Sequence, residues 1–267
     1  MSQEREKALP ELRGDLFVFP GRILFLGEGL FTDFHAHHAS SLLVATEEES
    51  DFGLELDGAE LWNGAGILLG PGVRHRLIAE KSRMLVLQIV PEMHRFALPR
   101  LHELKPADLK FIRTLARDLG GLHCNQAATC LSQILSRFPS NAGSAARNAA
   151  ALDPRITASL ARIQDSLPEI LTVAELSIQA GLSEHRFMHL FKSQVGIPVR
   201  RYALWARMQR AAFLLQDGRT LTEAAHEAGF SDSAHMSRSF KDFFGISPSS
   251  VFGERASVKA RFCNGVG

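Results

Sequence analysis

The stretch "FTDFHAHHASSLLV" sets His35, His37 and His38 just ahead of an apolar run, and "LLGPGVRHRL" sets His75 behind a glycine-proline turn. Side chains alternate along extended backbone, so His35 and His37 fall on one face and His38 on the other. Three neutral imidazoles brought together have the donor chemistry for zinc, copper or nickel. The same rings suit the polar lining of a small-molecule cavity, or ordinary structural and surface positions. All three readings stay open on the sequence.

The elements that must position these rings are short. From about Leu16 to Pro91 the chain breaks into apolar runs such as "LFVFP", "RILFLG", "SSLLVAT", "AGILLGPG" and "RMLVLQIVP", bounded by Gly, Pro and Asp. Such runs read as strands of a small antiparallel barrel or sandwich, with a hairpin turn at Asp57-Gly58. Trp62 fits a barrel lining or, more simply, its core. Helical spacing follows: Leu109, Ile112, Leu115 and Leu119 share one face, as do Leu131, Ile134, Leu135 and Phe138, with Gly120-Gly121 between. These two helices cover the barrel, each other or a second subunit. Residues 139–152 are small and polar and read as a linker. Asp153-Pro154 then opens a second domain as a helix cap followed by proline.

Composition bounds the rest. The chain has 267 residues, 45% of them hydrophobic and 22% charged, which fits two ordinary globular domains. No apolar run approaches the roughly 20 residues of a membrane span, and "MSQEREKALPELRGD" has no apolar signal core. The expected location is the cytoplasm. Cys124, Cys130 and Cys263 are odd in number without metal-type spacing, so reduced thiols are expected rather than a disulfide frame.

The C-terminal part carries an internal repeat: "TVAELSIQAGLSEHRFMHLFKSQVGIP" and "TLTEAAHEAGFSDSAHMSRSFKDFFGISP". Thr172 precedes Glu175, and Thr220 precedes Glu223, at capping-box spacing. Gly181 and Gly229 suit the left-handed turn that ends a first helix, and Ser183 and Ser231 suit the cap of a second. Two helix-turn-helix units are therefore expected. Between them, "PVRRYALWARMQRAAFLLQDG" places Leu204, Met208, Ala211 and Leu215 on one helical face. From Pro198 to Gln216 that rod would be roughly 28 Å long, against about 34 Å between successive major-groove faces on one side of B-DNA.

These residues resemble the DNA-binding domain of the AraC/XylS family of bacterial transcription regulators over about 153–253. "AGLSEHRFMHLFK", "GIPVRRYALWARMQRAAFLL" and "EAAHEAGFSDSAHMSRSFKDFFGISP" carry the resemblance, with Gly229-Phe230-Ser231 and Phe240-Lys241 its most typical residues. The resemblance implies a multi-domain α and β chain: a cupin-like N-terminal β-barrel with two following helices, for effector binding and dimerisation (1–138), and an all-α domain of two helix-turn-helix units joined by a long helix (153–253). Residues 254–267 read as a tail. It further implies a cytoplasmic, sequence-specific and effector-responsive activator. Its partners would be an operator duplex, a small-molecule effector, RNA polymerase and a second copy of the chain.

In the first unit His185, Met188 and His189 would face the groove, with Arg186 near a phosphate. In the second, Ser233, Ala234, His235, Ser237 and Arg238 remain exposed while Met236 and Phe240 are core. Arginine can donate twice to guanine O6 and N7, and histidine once; Ser183 and Ser231 suit phosphate oxygens. Between residues 153 and 253 eleven Lys and Arg stand against ten Asp and Glu, so nonspecific DNA affinity should be modest. Arg200, Arg201, Arg207 and Arg210 concentrate charge on the rod, where some should lie along its surface or pair with acids.

His35, His37 and His75 are the expected effector-pocket residues. No catalytic residue, metal or cofactor is expected. The rival is a metal-dependent cupin enzyme with a nucleic-acid-binding appendage, but cupin enzymes add a glutamate shortly after H-x-H, and residues 39–46 read "ASSLLVAT". An architectural protein without an effector would need a filled barrel.

Overall fold

In the computed structural model the described residues are 11–19, 21–37, 39–58, 61–90, 99–117, 121, 123–138, 152–195, 197–253 and 256–263. His38, Leu119, Gly120 and linker positions 139–151 lie outside them.

The N-terminal half is a two-sheet β structure. A seven-stranded sheet runs β10 (Leu101–Glu103), β7 (Gly66–Leu69), β4 (Ser40–Ala45), β9 (Met84–Ile89), β2 (Arg22–Glu28), β1 (Arg13–Phe19) and β11 (Ser257–Phe262). A four-stranded sheet runs β3 (Leu30–Phe31), β8 (His75–Ala79), β5 (Phe52–Leu56) and β6 (Leu61–Gly64). The central strands of the large sheet are apolar without alternation because both faces are covered. Leu24, Leu26, Leu42, Val44, Leu85 and Leu87 turn outward into a core shared with α1 (Pro106–Arg117) and α2 (Cys124–Arg137). Phe25, Leu43 and Ala45 turn inward to meet the small sheet. The apolar faces of both helices are thus spent on the barrel wall, through Ile112, Ala116, Leu131 and Ile134. Trp62 is half-buried and packs on Phe52 at 5.3 Å between ring centroids, outside the cavity described below.

Two expectations change here. Cys124 and Cys263 are joined as a disulfide, with Cα atoms 5.3 Å apart, and Cys130 is a buried thiol outside that bond. Spacing along the chain hid the pair because its members are 139 residues apart. The segment read as a tail also contains β11, which pairs in parallel with β1 from Arg13↔Ser257 to Val18↔Phe262. It protects the edge of β1, and Gln216 donates to the Ala260 carbonyl from the long helix.

The helical half comprises α3 (Pro154–Asp165), α4 (Val173–Gln179), α5 (Glu184–Val195), α6 (Val199–Gln216), α7 (Leu221–Glu227), α8 (Ser233–Phe244) and α9 (Pro248–Phe252). At about 1.5 Å per residue α6 is roughly 27 Å long. It has two apolar flanks rather than the single face expected. Tyr202 and Ala206 enter a core with Ile156, Phe187 and Phe191. Trp205, Met208 and Ala211 enter another, and that core continues into the barrel through Leu12, Leu30 and Leu77. No helix among the described residues is long and apolar enough to cross a membrane.

Candidate functional site

Each unit is locally encoded. Thr172 accepts from the Glu175 amide while the Glu175 carboxylate receives the Thr172 amide, and Thr220 with Glu223 repeats the box. Hydrogen bonding from the capping threonines holds both carboxyls below the usual glutamate range. Gly181 and Gly229 adopt φ of 64° and 86°, the left-handed backbone that redirects the chain into α5 and α8. Ser183 accepts from the Arg186 amide and begins α5 as expected. Ser231 does not cap α8. Asp232 does, accepting from the His235 amide at 2.6 Å, while Ser231 donates to Asp232 and lies 3.1 Å from His235 Nδ1. The carboxylate outcompetes the hydroxyl because a charged acceptor binds an N–H more strongly.

In α5, His185, Arg186, Met188 and His189 are exposed over a buried floor of Phe187 and Phe191. In α8, Ala234 and Arg238 are exposed, Ser233, His235 and Ser237 are partly so, and Met236 and Phe240 are buried. Both faces therefore present donors to solvent. The rod arginines mostly point elsewhere. Arg201 donates to the Ala36 carbonyl at 2.8 Å and lies 4.4 Å over the Phe243 ring. Arg210 donates to the Glu227 carbonyl. Arg207 is half-buried with Nε unpartnered among the described residues, and burial lowers its pKa.

The second unit sits on the barrel. The Asp33 amide donates to the Gly245 carbonyl at 2.9 Å, and Lys241 pairs with Asp33 at 2.6 Å. Gly245 has φ 71°, and a Cβ there would meet His35 Nδ1 at 2.5 Å and the Asp33 carbonyl at 2.9 Å. Only glycine allows so close an approach. Between barrel and unit lies a cavity of about 120 Å³. Phe25, Leu43 and Val86 line it from the barrel, and Met208, Phe240 and Phe244 from the helices.

The polar end of this cavity gathers His35, His37 and His75, all buried. His35 and His75 face each other in an isolated antiparallel bridge. His35 Nε2 lies 3.0 Å from His37 Nε2, which in turn lies 3.2 Å from the Gln88 amide. His35 Nδ1 faces the Asp33 carbonyl at 2.8 Å and His75 Nδ1 the Val73 carbonyl at 3.0 Å. Burial, and then the neighbouring His75, push the His35 pKa down to about 3; burial also lowers that of His75. Sequence reasoning missed Gln88, Asp33, Lys241 and the Arg201–Ala36 contact. Gln88 had a signal: it is the one polar residue inside "MLVLQIV".

A family described as a helix-turn-helix domain matches residues 176–253. A probable transcriptional regulator, LumQ, from Photobacterium leiognathi is 37% identical over 87 residues, 32% of this chain and 35% of that protein. The transcriptional activator RhaS from Klebsiella pneumoniae is 30% identical over 100 residues, 37% of this chain and 36% of that one. The matched stretch thus spans about a third of these relatives' length. A lysine-to-alanine variant of apo ToxT from Vibrio cholerae superposes with a TM-score of 0.56 over 86% of this chain and 96% of its own, at 11% identity, a likeness of fold. The C-terminal region of this chain, with its two capped units hung on one helix, is thus similar to a helix-turn-helix domain over residues 176–253 and to parts of proteins named as transcriptional regulators.

Proposed function

We propose that this protein is a sequence-specific DNA-binding transcription regulator whose N-terminal β domain senses a small molecule. The observation that carries the reading is the repeat itself: two capped units, each with a donor-bearing face exposed over a buried aromatic floor. One duplex contacted by both would be read twice along one groove side. Ser183, His185, Arg186, Met188 and His189 serve the first segment, and Ser231, Ser233, Ala234, His235, Ser237 and Arg238 the second. Residues 1–138 act as a cupin-like effector and dimer domain, 139–152 as linker and 153–253 as reader. A homodimer on a two-part operator, contact with RNA polymerase, activation and a cytoplasmic location complete the proposal. The relatives' names as transcriptional regulators favour this over the enzyme rival.

The cavity supports a largely apolar effector. Solved ToxT structures carry an unsaturated fatty acid or a naphthalenyl butenoic acid. At about 120 Å³ the cavity here is smaller than the roughly 150 Å³ that accommodates benzene in an engineered core. A larger effector therefore enters only as the space between the β domain and the second unit widens. Its binding free energy then shifts the second unit relative to the barrel, and with it operator affinity.

The test is an electrophoretic shift with DNA from upstream of the protein's own coding region. Arg238→Ala combined with His189→Ala should weaken binding about 30-fold or more, at about 1 kcal/mol or more per base contact. Unchanged sequence-selective binding would refute the assigned faces.

A further inference from the structure

The histidine cluster is a more specific object than the polar end of an effector cavity. A peptide carbonyl can only accept a hydrogen bond, so the carbonyls of Asp33 and Val73 place the ring protons of His35 and His75 on Nδ1. Both Nε2 atoms are then bare lone pairs. Nδ1–H held by a backbone carbonyl is also the usual outer-shell arrangement of a metal-bound histidine. The burial that keeps His35 and His75 neutral removes proton competition for those lone pairs.

His37 completes the triangle. The ligand nitrogens of the three residues all lie within 4.8 Å of one another, and the ring centroids are 4.5, 4.5 and 5.4 Å apart. Tetrahedral zinc at about 2.0–2.1 Å from each nitrogen needs them about 3.3 Å apart. The His35–His37 pair at 3.0 Å is already near that value, and closing the longest separation takes about 1.5 Å, within reach of small ring rotations. Gln88 sharpens the case. Its amide nitrogen faces His37 Nε2, so that atom cannot both accept from Gln88 and donate to His35. Turning the amide over leaves one proton for two acceptors. A cation held by the His35 and His37 Nε2 lone pairs removes the need for a shared proton between those two rings.

We propose that His35, His37 and His75 bind one divalent ion of the zinc class between the barrel and the second helix-turn-helix unit. No fourth His, Cys, Asp or Glu joins them among the described residues, so the remaining position faces the cavity, where solvent or a donor atom of the effector completes the tetrahedron. The placement deepens the regulator reading, on which its consequence rests. The ligand-bearing segment also carries the Asp33 amide bonded to Gly245, the Asp33 carboxylate paired with Lys241 and the Ala36 carbonyl bonded to Arg201. An ion that fixes His35 and His37 against His75 acts on all three grips at once.

The test is titration of the chelator-treated full-length protein with cobalt(II), whose four-coordinate complexes absorb strongly in the visible. One equivalent should develop intense bands that one equivalent of zinc bleaches. His35→Ala and His75→Ala should lose the signal, and His102→Ala, on β10 away from the cluster, should keep it. Weak bands in the wild-type protein, or a signal that survives both cluster variants, overturns the proposal. The wild-type titration decides even if a variant fails to fold. Operator binding measured on the same samples separates the two ideas, since a regulator without the metal site still shifts its DNA.

Discussion

The two helix-turn-helix units share caps, turns and endings, yet they are held in different ways. The first has a closed core of its own, in which Ile156, Phe187, Phe191 and Tyr202 meet without any barrel residue. The second has none of its own: Phe230, Met236, Phe240 and Phe243 belong to a cluster that runs through Trp205 into the barrel. Duplication copied the reading device but not its support. The difference teaches which unit can feel a ligand. On the proposed function, a unit with a private core would answer to DNA alone, whereas one that shares its core with the barrel would answer to DNA and to a ligand of the barrel.

Core truncation is the strongest way to break this comparison. Phe187→Ala and Phe243→Ala should each cost about 3–5 kcal/mol, since both rings are fully buried. They should differ in reach. Phe187→Ala should lower only the melting of the first unit and leave barrel signals in place, while Phe243→Ala should lower barrel and second unit together. Amide hydrogen exchange resolved along the chain would show it. Identical patterns from the two variants would end the distinction.

Acid should separate the units next. In metal-free protein His35 titrates near 3, and His75 below its ordinary value, against about 6.5 in the unfolded chain. The unfolded state therefore binds more protons at intermediate pH. The stability these neutral rings preserve is full above about 6.5 and is lost as pH falls toward 3, at up to about 1.4 kcal/mol per pH unit for each ring. Among the described residues no histidine of the first unit is buried; His185 and His189 are exposed. Thermal melts between pH 7 and 4 should show barrel and second unit weakening first, and His75→Gln should flatten that dependence.

What the sequence disclosed follows the same division. The units were legible because caps, glycines and aromatic floors are local and come twice: Thr172 with Glu175, Thr220 with Glu223, Gly181 with Gly229. The barrel strands were legible as bounded apolar runs, although burial on both faces erased the alternation that would have fixed their orientation. The seam was not. Asp33 with Lys241, Ala36 with Arg201 and Cys124 with Cys263 join residues 139 or more positions apart, and no local pattern marks such pairs. The rod was half legible, because a helix packed on two flanks has no single apolar stripe to find. His35, His37 and His75 stood out by type; their convergence came from a bridge between β8 and an irregular segment.

Two glycines sharpen the comparison at smaller cost. Gly181→Ala and Gly245→Ala both force alanine into left-handed backbone, at about 1–2 kcal/mol. A Cβ at Gly181 meets nothing within 4 Å, so its cost should stop there. At Gly245 it runs into His35, Thr32 and the Asp33 carbonyl, so the seam must part. Gly245→Ala should show the larger fall in melting temperature and a changed operator affinity, and Gly181→Ala a smaller fall. Equal falls would mean that the seam yields freely and carries no signal.

The smallest effect expected is the most diagnostic. Lys241 and Asp33 form a 2.6 Å ion pair whose side chains are 55% and 52% exposed, and exposed pairs contribute about 0–1 kcal/mol. Lys241→Met, which keeps the alkyl stem and removes the charge, should therefore barely move the melting temperature. Yet the pair ties the second unit to the barrel beside the Asp33–Gly245 and Ala36–Arg201 hydrogen bonds, and under the proposed coupling about 1 kcal/mol shifts a two-state balance several-fold. The variant should alter the effector dependence of operator binding while leaving stability and first-unit protection unchanged. Lys192→Met, at the matching turn of α5, should alter neither, because the core under that helix holds no barrel residue among those described. If the two variants behave alike in DNA binding across effector concentrations, the second unit is no more coupled to the sensor than the first.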